Sequence, residues 1–408
     1  LRASRVRKTY RHGTHRSMTP ADTLARVWPF MPVMGITRIA NVTGLDCIGI
    51  PVVMVVRPNS RSIAVSQGKS ADLMAAKASG VMESVETYHA EHMILPLKLG
   101  SYEEMRYRHP VADVAQLPFV ARSRFRPDLR LLWVEGHDLL RDEPVWVPYE
   151  LVHTDYTLPP PSGSGCFVAS SNGLASGNHL LEAISHGICE VVERDAATIW
   201  TRRPKDEQAR TRIDLASIDS EECQDVLARY ERAGIAVAVW EMTGDIGIPS
   251  FMCMIAEPPG QVFPIPSSRG MGCHASREIA LLRALTEAAQ SRLTIISGSR
   301  DDLSRKWYDL ETSPDIVQND WSRMQVQGPL RRFKDAPTFE GETLDDDVEW
   351  ELERLRAGGI DRVATVDLTR PEFNLPVARV VIPGLEGSAL HPGYAPGARA
   401  RAVFGKRP

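Results

Sequence analysis

One unit occurs three times in this chain, and that recurrence limits the fold more than any other feature. Residues 36–57 read ITRIANVTGLDCIGIPVVMVVR, residues 236–256 AVAVWEMTGDIGIPSFMCMIA, and residues 362–382 RVATVDLTRPEFNLPVARVVI. Each pairs two β-rich runs around a Thr that opens a turn (Thr43, Thr243, Thr369) and an Ile/Leu-Pro step (Pro51, Pro249, Pro376). Alternating β-branched residues with turn residues between them predict β-hairpins. Helices ending in ARYERAGI and ERLRAGGI precede the second and third copies, with Gly closing each C-terminus. Helix–hairpin modules, rather than strand–helix–strand crossovers, predict a mixed α/β, α+β-like protein with layered antiparallel or mixed sheets.

A second element also recurs. Ser66-Gln67-Gly68-Lys69-Ser70, Ser171-Asn172-Gly173 to Asn178, and Ser267-Ser268-Arg269-Gly270 to Gly272 each run into a helix. Read as Gly-rich loops, they offer backbone N–H groups to an anion, although most such loops are simply turns. The helices that follow carry polar residues at i, i+4 and i+7: Ser79, Glu83 and Glu86; His186, Glu190 and Glu193; Arg283, Glu287 and Gln290. That spacing sets each trio on one face. Glu182 extends the second stripe by a turn.

A charge stripe on a helix is usually a solvated face. Here the rest of each helix argues otherwise. The second reads LLEAISHGICEVVERDAATIW and is apolar around most of its circumference, and IALLRALTEAAQSRL is similar. Such helices are buried, and an uncompensated buried carboxylate costs several kcal/mol, roughly. Lys69, Arg194, Arg269, Arg283 and Arg292 can pair with only some of these acids. Hard oxygen ligands short of partners suit Mg²⁺, which is commonly shared with substrate phosphates, leaving the cations for a triphosphate.

Composition sets the outer limits. A net charge of −4 argues against a general nucleic-acid surface. No run approaches a membrane span, and the basic N-terminus lacks the apolar core of a secretory signal. The six cysteines are scattered with no C-x-x-C pair, so neither a zinc site nor a disulfide framework is expected, and a reduced cytoplasmic protein is. Residues 298–347, rich in Asp, Arg and Pro, read as a mostly exposed insertion with one or two short helices.

These stretches resemble the YcaO family. SGVMESVE (Ser79 to Glu86) and SSNGLASGNHLLEAISHGICEVVERDA (Ser171 to Ala196) match its paired S-x-x-x-E-x-x-E motifs, and RALTEAAQSR (Arg283 to Arg292) resembles its third nucleotide-binding helix. YRHGTHRSMTP and TRIANVTGLDCIGIPV further resemble the subgroup that works with a TfuA-type partner protein. The resemblance implies an extension over 1–35, an ATP-binding catalytic domain over 36–387 and a tail over 388–408. It implies Mg²⁺ on Glu83, Glu86, Glu190 and Glu193. Nucleotide contacts fall on Lys69, Ser79, Asn178 and Glu182, with Arg194, Arg283, Glu287 and Gln290 completing the pocket. The implied reaction is ATP-dependent activation of a peptide backbone amide, by a protein expected to be dimeric and to need a peptide or protein substrate. Two departures matter: Thr87 stands where many members carry Arg, and ARARAVFGKRP lacks the proline-rich ending common in azoline-forming members. Thioamide formation with an external sulfur donor is therefore the first expectation and azoline-forming cyclodehydration the second. A decayed, peptide-binding scaffold and a nucleotide-free metal hydrolase are the rivals. Intact acids on all three helices oppose the scaffold, and Lys69 with the Gly-rich stretches opposes the hydrolase. His186, on the site face, is the candidate general base. Cys166 and Cys189 are candidate sulfur relays, against the commoner case of a buried structural thiol.

Overall fold

In the computed structural model, residues 5–260, 265–300, 305–325 and 328–404 are described. The ends of the basic N-terminus and of the tail, and parts of the 298–347 insertion, lie outside them.

The chain opens with α1 (Pro20–Val27), capped by Thr19 and started by a proline whose missing N–H costs nothing there. β1 (Arg38–Asn41) and β2 (Val52–Val56) form the first hairpin, β3 (Val65–Lys69) extends it, and α2 (Leu73–Glu91) follows, capped by Asp72. β4 (Leu97–Ser101), α3 (Tyr102–Arg108), β5 (Arg130–Asp138) and β6 (Glu143–Pro148) come next. β7 (Leu174–Ser176) then leads into α4 (Leu180–Arg202) and the shorter α5 (Lys205–Ala209). α6 (Glu221–Arg232) precedes the hairpin β8 (Ala236–Glu241)–β9 (Ser250–Ala256), extended by β10 (Ser268–Cys273) and followed by α7 (Arg277–Ser297). α8 (Arg305–Glu311) and α9 (Pro314–Met324) lie in the insertion, and α10 (Leu344–Ala357) leads to the hairpin β11 (Ala364–Asp367)–β12 (Val377–Val381). α11 (Ala398–Phe404) ends the described chain.

All three hairpins form as the alternation predicts, and every ladder is antiparallel. Gly234 and Gly359 take positive φ just beyond α6 and α10, as helix-ending glycines do. Two sheets have three strands, in orders β1-β2-β3 and β10-β9-β8; the third runs β4-β5-β11-β12-β7, with β6 on β5. Each hairpin thus gains a third strand that leads into a long helix: β3 into α2, β10 into α7, β7 into α4. In the last module the chain order is permuted, because β7 and α4 precede the hairpin β11–β12 on which β7 pairs.

The Gly-rich stretches are therefore not anion-binding loops; they include strands β3, β7 and β10. Their glycines let a helix lie directly on its strand. A Cβ on Gly68 would stand 2.0 Å from the Ala76 carbonyl oxygen and 2.2 Å from the Gly80 nitrogen, both in α2. One on Gly270 would stand 2.2 Å from the Ala284 oxygen and from the Ala288 nitrogen in α7. Neither neighbour is a side chain that can swing away, so Gly68→Ala should destabilise the protein by about 3 kcal/mol, at the upper end of overpacking costs. A urea unfolding curve checks this, and an unchanged midpoint would refute the close strand–helix contact.

The packing around these modules forms four apolar clusters. α2 with β2 packs toward Trp133 and Val147 of the large sheet, and α7 is covered by Phe251 and Tyr230. Ile184, Ile188 and Val192 of α4 meet Val348 and Leu355 of α10 and Val380 of β12. Trp200 and Trp240 anchor the fourth. Within the insertion, Asp320 and Met324 are buried, so α9 is docked rather than merely exposed.

Candidate functional site

α2, α4 and α7 converge with their acid stripes facing one another, as the charge interactions across them record. Glu83 and Glu86 of α2 feel Glu190 of α4, while Glu190 and Glu193 feel Glu287 of α7. The three modules hold their leading acid in the same way. Glu83 Oε2 accepts the Gln67 backbone N–H at 3.0 Å, Glu190 Oε2 the Gly173 N–H at 3.3 Å, and Glu287 Oε1 the Met271 N–H at 3.2 Å. Each bond ties the helix to its own strand or to the turn before it, so the close approach permitted by the glycines also aims the carboxylates. Glu86 reaches across to the β7 end, accepting from the Ser176 backbone at 2.9 Å and its hydroxyl at 2.8 Å.

Burial drives the electrostatics. It pushes Glu83 up to about 7, Glu86 up to about 8 and Glu193 up to about 7, with neighbouring acids adding to each rise. Glu190 is also raised, chiefly by burial. Burial pushes Glu287 upward too, but Lys69 and Arg194 outweigh it and hold its carboxyl below the usual range. Lys69 Nζ lies 2.7 Å from Glu287 Oε2, and Arg194 sits 3.0 Å from Glu193 and 3.7 Å from Glu190. Three of these acids thus resist ionisation near neutral pH. A cation set among them would remove that penalty, so the donor set fits a divalent, oxygen-seeking ion.

Other sequence-predicted residues take varied places. Gln290 is buried on α7, and Ser79 is exposed one turn before Glu83. Arg283 donates to the Cys273 carbonyl at 3.0 Å and meets His186 Nδ1 at 3.2 Å. That contact occupies the Nδ1 lone pair, and burial with surrounding cations holds His186 well below its ordinary value. His186 is thus a neutral partner of Arg283, poorly placed as the general base that its spacing suggested. Glu182 gives one oxygen to the Ser17 N–H and hydroxyl, at 2.5 and 2.6 Å, and the other to the Asn178 N–H at 2.8 Å. Asn178 in turn donates to Thr23 of α1 at 2.9 Å. Both residues therefore fasten the N-terminal segment beside the site. Arg269 pairs with Asp320 and Arg292 with Asp46 and Glu257, which leaves Lys69, Arg194 and Arg283, of the five predicted cations, at the cluster. Neither candidate sulfur relay holds up. Cys166 is buried, its thiol pushed up to about 11, and Cys189 is raised well above the usual thiol range by its hydrogen bond with Cys273 and by burial. Both stay protonated and inert at neutral pH.

Three contributors escaped sequence reasoning: Ser176, Arg16 and Arg379. Arg16 comes near Arg283 and His186 from the N-terminal segment. Arg379 lies in the otherwise apolar strand VARVV and faces Glu190; a charge in such a strand was the available signal. Among the described residues, the one trio of His, Cys, Asp or Glu ligand atoms within 4.8 Å of one another is His15, His274 and Asp347. Lys8 Nζ is already 2.6 Å from Asp347 there, so an ammonium supplies the positive charge. The helix carboxylates stand wider apart than a one-ion cage, an arrangement suited to ions whose remaining ligands are phosphate oxygens and water.

The family model described as YcaO cyclodehydratase, ATP- and Mg²⁺-binding, matches residues 67–386. The chain belongs to the YcaO family. ATP and Mg²⁺ are the cofactors that this family model carries. A Rhizobium leguminosarum bv. trifolii relative, described as an uncharacterized protein in the tfuA 3′ region, is 38% identical over 381 residues, covering 91% of this chain and 88% of its own. Two solved structures share the YcaO fold. A heterocyclase in complex with substrate and cofactor superposes with a TM-score of 0.78 at 23% identity over 95% of this chain, which spans 54% of that longer one. YcaO from Methanopyrus kandleri, bound with AMPPCP and Mg²⁺, superposes at 0.73 with 22% identity, covering 93% of this chain and 95% of that one. No helix among the described residues is long and apolar enough to cross a membrane.

Proposed function

We propose that this YcaO protein activates a backbone amide of a peptide or protein with ATP and Mg²⁺, and that the product is a thioamide. The observation that carries the reading is the convergence of α2, α4 and α7 on one set of half-buried carboxylates with Lys69, Arg194 and Arg283 among them. In this reading Glu83, Glu86, Glu190 and Glu193 hold Mg²⁺. Lys69, Arg194 and Arg283 meet the phosphates, and Glu287 keeps Lys69 in place. Ser79, Asn178, Glu182 and Gln290 border the nucleotide. ATP with Mg²⁺ would supply a phosphoryl group that turns an amide oxygen from a very poor leaving group into a good one.

The chemistry balances as follows. Hydrosulfide adds to the amide carbon, and the carbonyl electrons move onto oxygen. That alkoxide takes the terminal phosphoryl group while the bond to ADP breaks. The carbon–oxygen bond then breaks, phosphate departs carrying the amide oxygen, and the sulfur proton passes to it as the C=S bond forms. The protein's own residues supply charge and position: cations that neutralise the moving negative charge, and carboxylates held by strand N–H groups before anything binds.

Likeness to the relative from the tfuA 3′ region favours the thioamide and a TfuA-like partner that presents peptide or sulfur. Likeness to a heterocyclase favours the second reading, azoline formation, in which a Cys, Ser or Thr side chain of the peptide is the nucleophile. Incubation with ATP, Mg²⁺, sulfide and a precursor peptide encoded beside the gene, followed by mass spectrometry, separates them. Exchange of oxygen for sulfur raises the peptide mass, and ring closure removes water. ATP turnover that leaves the peptide mass unchanged, with and without a TfuA-like partner, would overturn both.

A further inference from the structure

One buried charge next to the acid cluster is short of partners. Arg379 on β12 is 2% exposed, and its Nη2 donates to the Ser170 carbonyl at 2.6 Å. Its Nε and Nη1 are buried and meet no acceptor. His153, 4% exposed, is in the same condition. Its Nδ1 accepts the Asp155 N–H at 3.2 Å, which places the ring proton on Nε2, and Nε2 is buried without a partner. Arg379 and His153 are close enough to act on each other, and Arg379 also acts on Glu190 and on Tyr156. Tyr156 is 43% exposed, so the edge of this group opens to solvent.

Unpaired donors of this kind are costly. A buried cation with idle N–H groups forfeits hydration and recovers nothing, and packing alone does not call for Arg in a valine strand. The group holds donors and positive charge, with Glu190 as its link to the metal-binding acids. It therefore suits an oxygen atom on which negative charge develops close to bound Mg²⁺. In the amide-activating reading Lys69, Arg194 and Arg283 serve the nucleotide phosphates from β3, α4 and α7, whereas Arg379 approaches Glu190 from β12, bonded to the Ser170 carbonyl.

We propose that Arg379 and His153 form the oxyanion subsite of this enzyme: they hold the substrate amide oxygen as it gains charge, and hold the phosphate that carries it away. This rests on the amide-activating reading above. An oxyanion there has two possible sources, the amide oxygen or the terminal phosphate of the nucleotide, and the two are separable by binding.

The probe is inorganic phosphate, titrated calorimetrically into the full chain saturated with ADP and Mg²⁺, because product phosphate retains the amide oxygen. Arg379→Gln is expected to weaken phosphate binding about tenfold or more, the scale of a charged hydrogen bond, while leaving ADP·Mg²⁺ affinity within about twofold. Arg379→Lys, which keeps the charge but loses the fork of donors, should fall between. His153→Phe should weaken phosphate less than Arg379→Gln and covers the case in which the arginine variant fails to fold. Equal phosphate affinity in the unsubstituted and substituted proteins would overturn the subsite. A tenfold loss of ADP·Mg²⁺ affinity in Arg379→Gln would reassign Arg379 to the nucleotide. Absence of ADP·Mg²⁺ binding in the unsubstituted chain would instead sink the amide-activating reading itself.

Discussion

Replacing Glu190 and Glu193 together by Gln should lower Mg²⁺-dependent affinity for a non-hydrolysable ATP analogue by more than about a hundredfold, the scale of losing two charged contacts. Both carboxylates sit on α4 between the acids of α2 and α7, so no ion held by the cluster can avoid them. Gln preserves shape and can still accept a hydrogen bond, which keeps the Gly173 N–H satisfied. It cannot offer an anionic oxygen to a metal. Arg194 loses two partners but stays near Glu287, and like-charge repulsion among the remaining acids falls. The fold should therefore persist, as circular dichroism will record. Calorimetric titration with and without Mg²⁺ decides the matter: affinity within about tenfold of the unsubstituted protein would mean that the nucleotide is held elsewhere.

How far the chain could be read before its structure depended on whether each signal was local. The hairpins were legible because strand alternation and turn chemistry sit within about twenty consecutive residues. The acid stripes were legible because helical period alone sets Glu83 over Glu86 and Glu190 over Glu193. The Gly-rich stretches misled, since serine and glycine look alike in a turn and in a strand pressed against a helix. What decided between them was the Ala76 carbonyl above Gly68, a contact no pattern announces. The third module was hidden for another reason: β7 and α4 end at Arg202, and the hairpin that completes them begins only at Ala364. His186 had the right spacing and the wrong neighbour. Ser17, Arg16 and Arg379 reach the site from segments whose own sequence offers little hint of it.

A repeated strand–helix unit has a chemical consequence. Each copy alone holds one leading acid by a backbone N–H of its strand or of the turn before it. Joining three copies turns those acids toward one another, and their mutual repulsion makes the site receptive to a divalent cation. Residues that differ between copies then set distinct roles. The position four before the leading acid is Ser79, His186 and Arg283 in turn, and the position three after it is Glu86, Glu193 and Gln290. The α7 copy thus has a cation where the others have Ser and His, and an amide where they have an acid, which in the proposed reading gives the cluster one side for phosphate and another for metal.

Burial of these acids, with repulsion among them, should be visible as pH-dependent stability. Glu83 and Glu193 near 7 and Glu86 near 8 all lie above the ordinary glutamate value, so the folded chain binds protons more tightly than the unfolded chain. The sign follows: their favourable contribution is complete below the unfolded value and is lost as pH rises through 7 and 8. The buried histidines His15, His186 and His274 are held down and act oppositely, but only below about 6.5, where the unfolded rings protonate. Between pH 7 and 8.5 the glutamates therefore dominate. In chelator, the melting temperature should fall by a few degrees, roughly, across that interval. Excess Mg²⁺ binds the ionised, folded cluster and not the unfolded chain, so it should raise the melting temperature most at pH 8.5 and flatten the profile. Glu86→Gln should flatten it without Mg²⁺, by removing the one of these three acids that is raised furthest. A melting temperature in chelator that holds steady or rises from pH 7 to 8.5 would mean that these carboxylates ionise freely, and the electrostatic case for a metal among them would be lost.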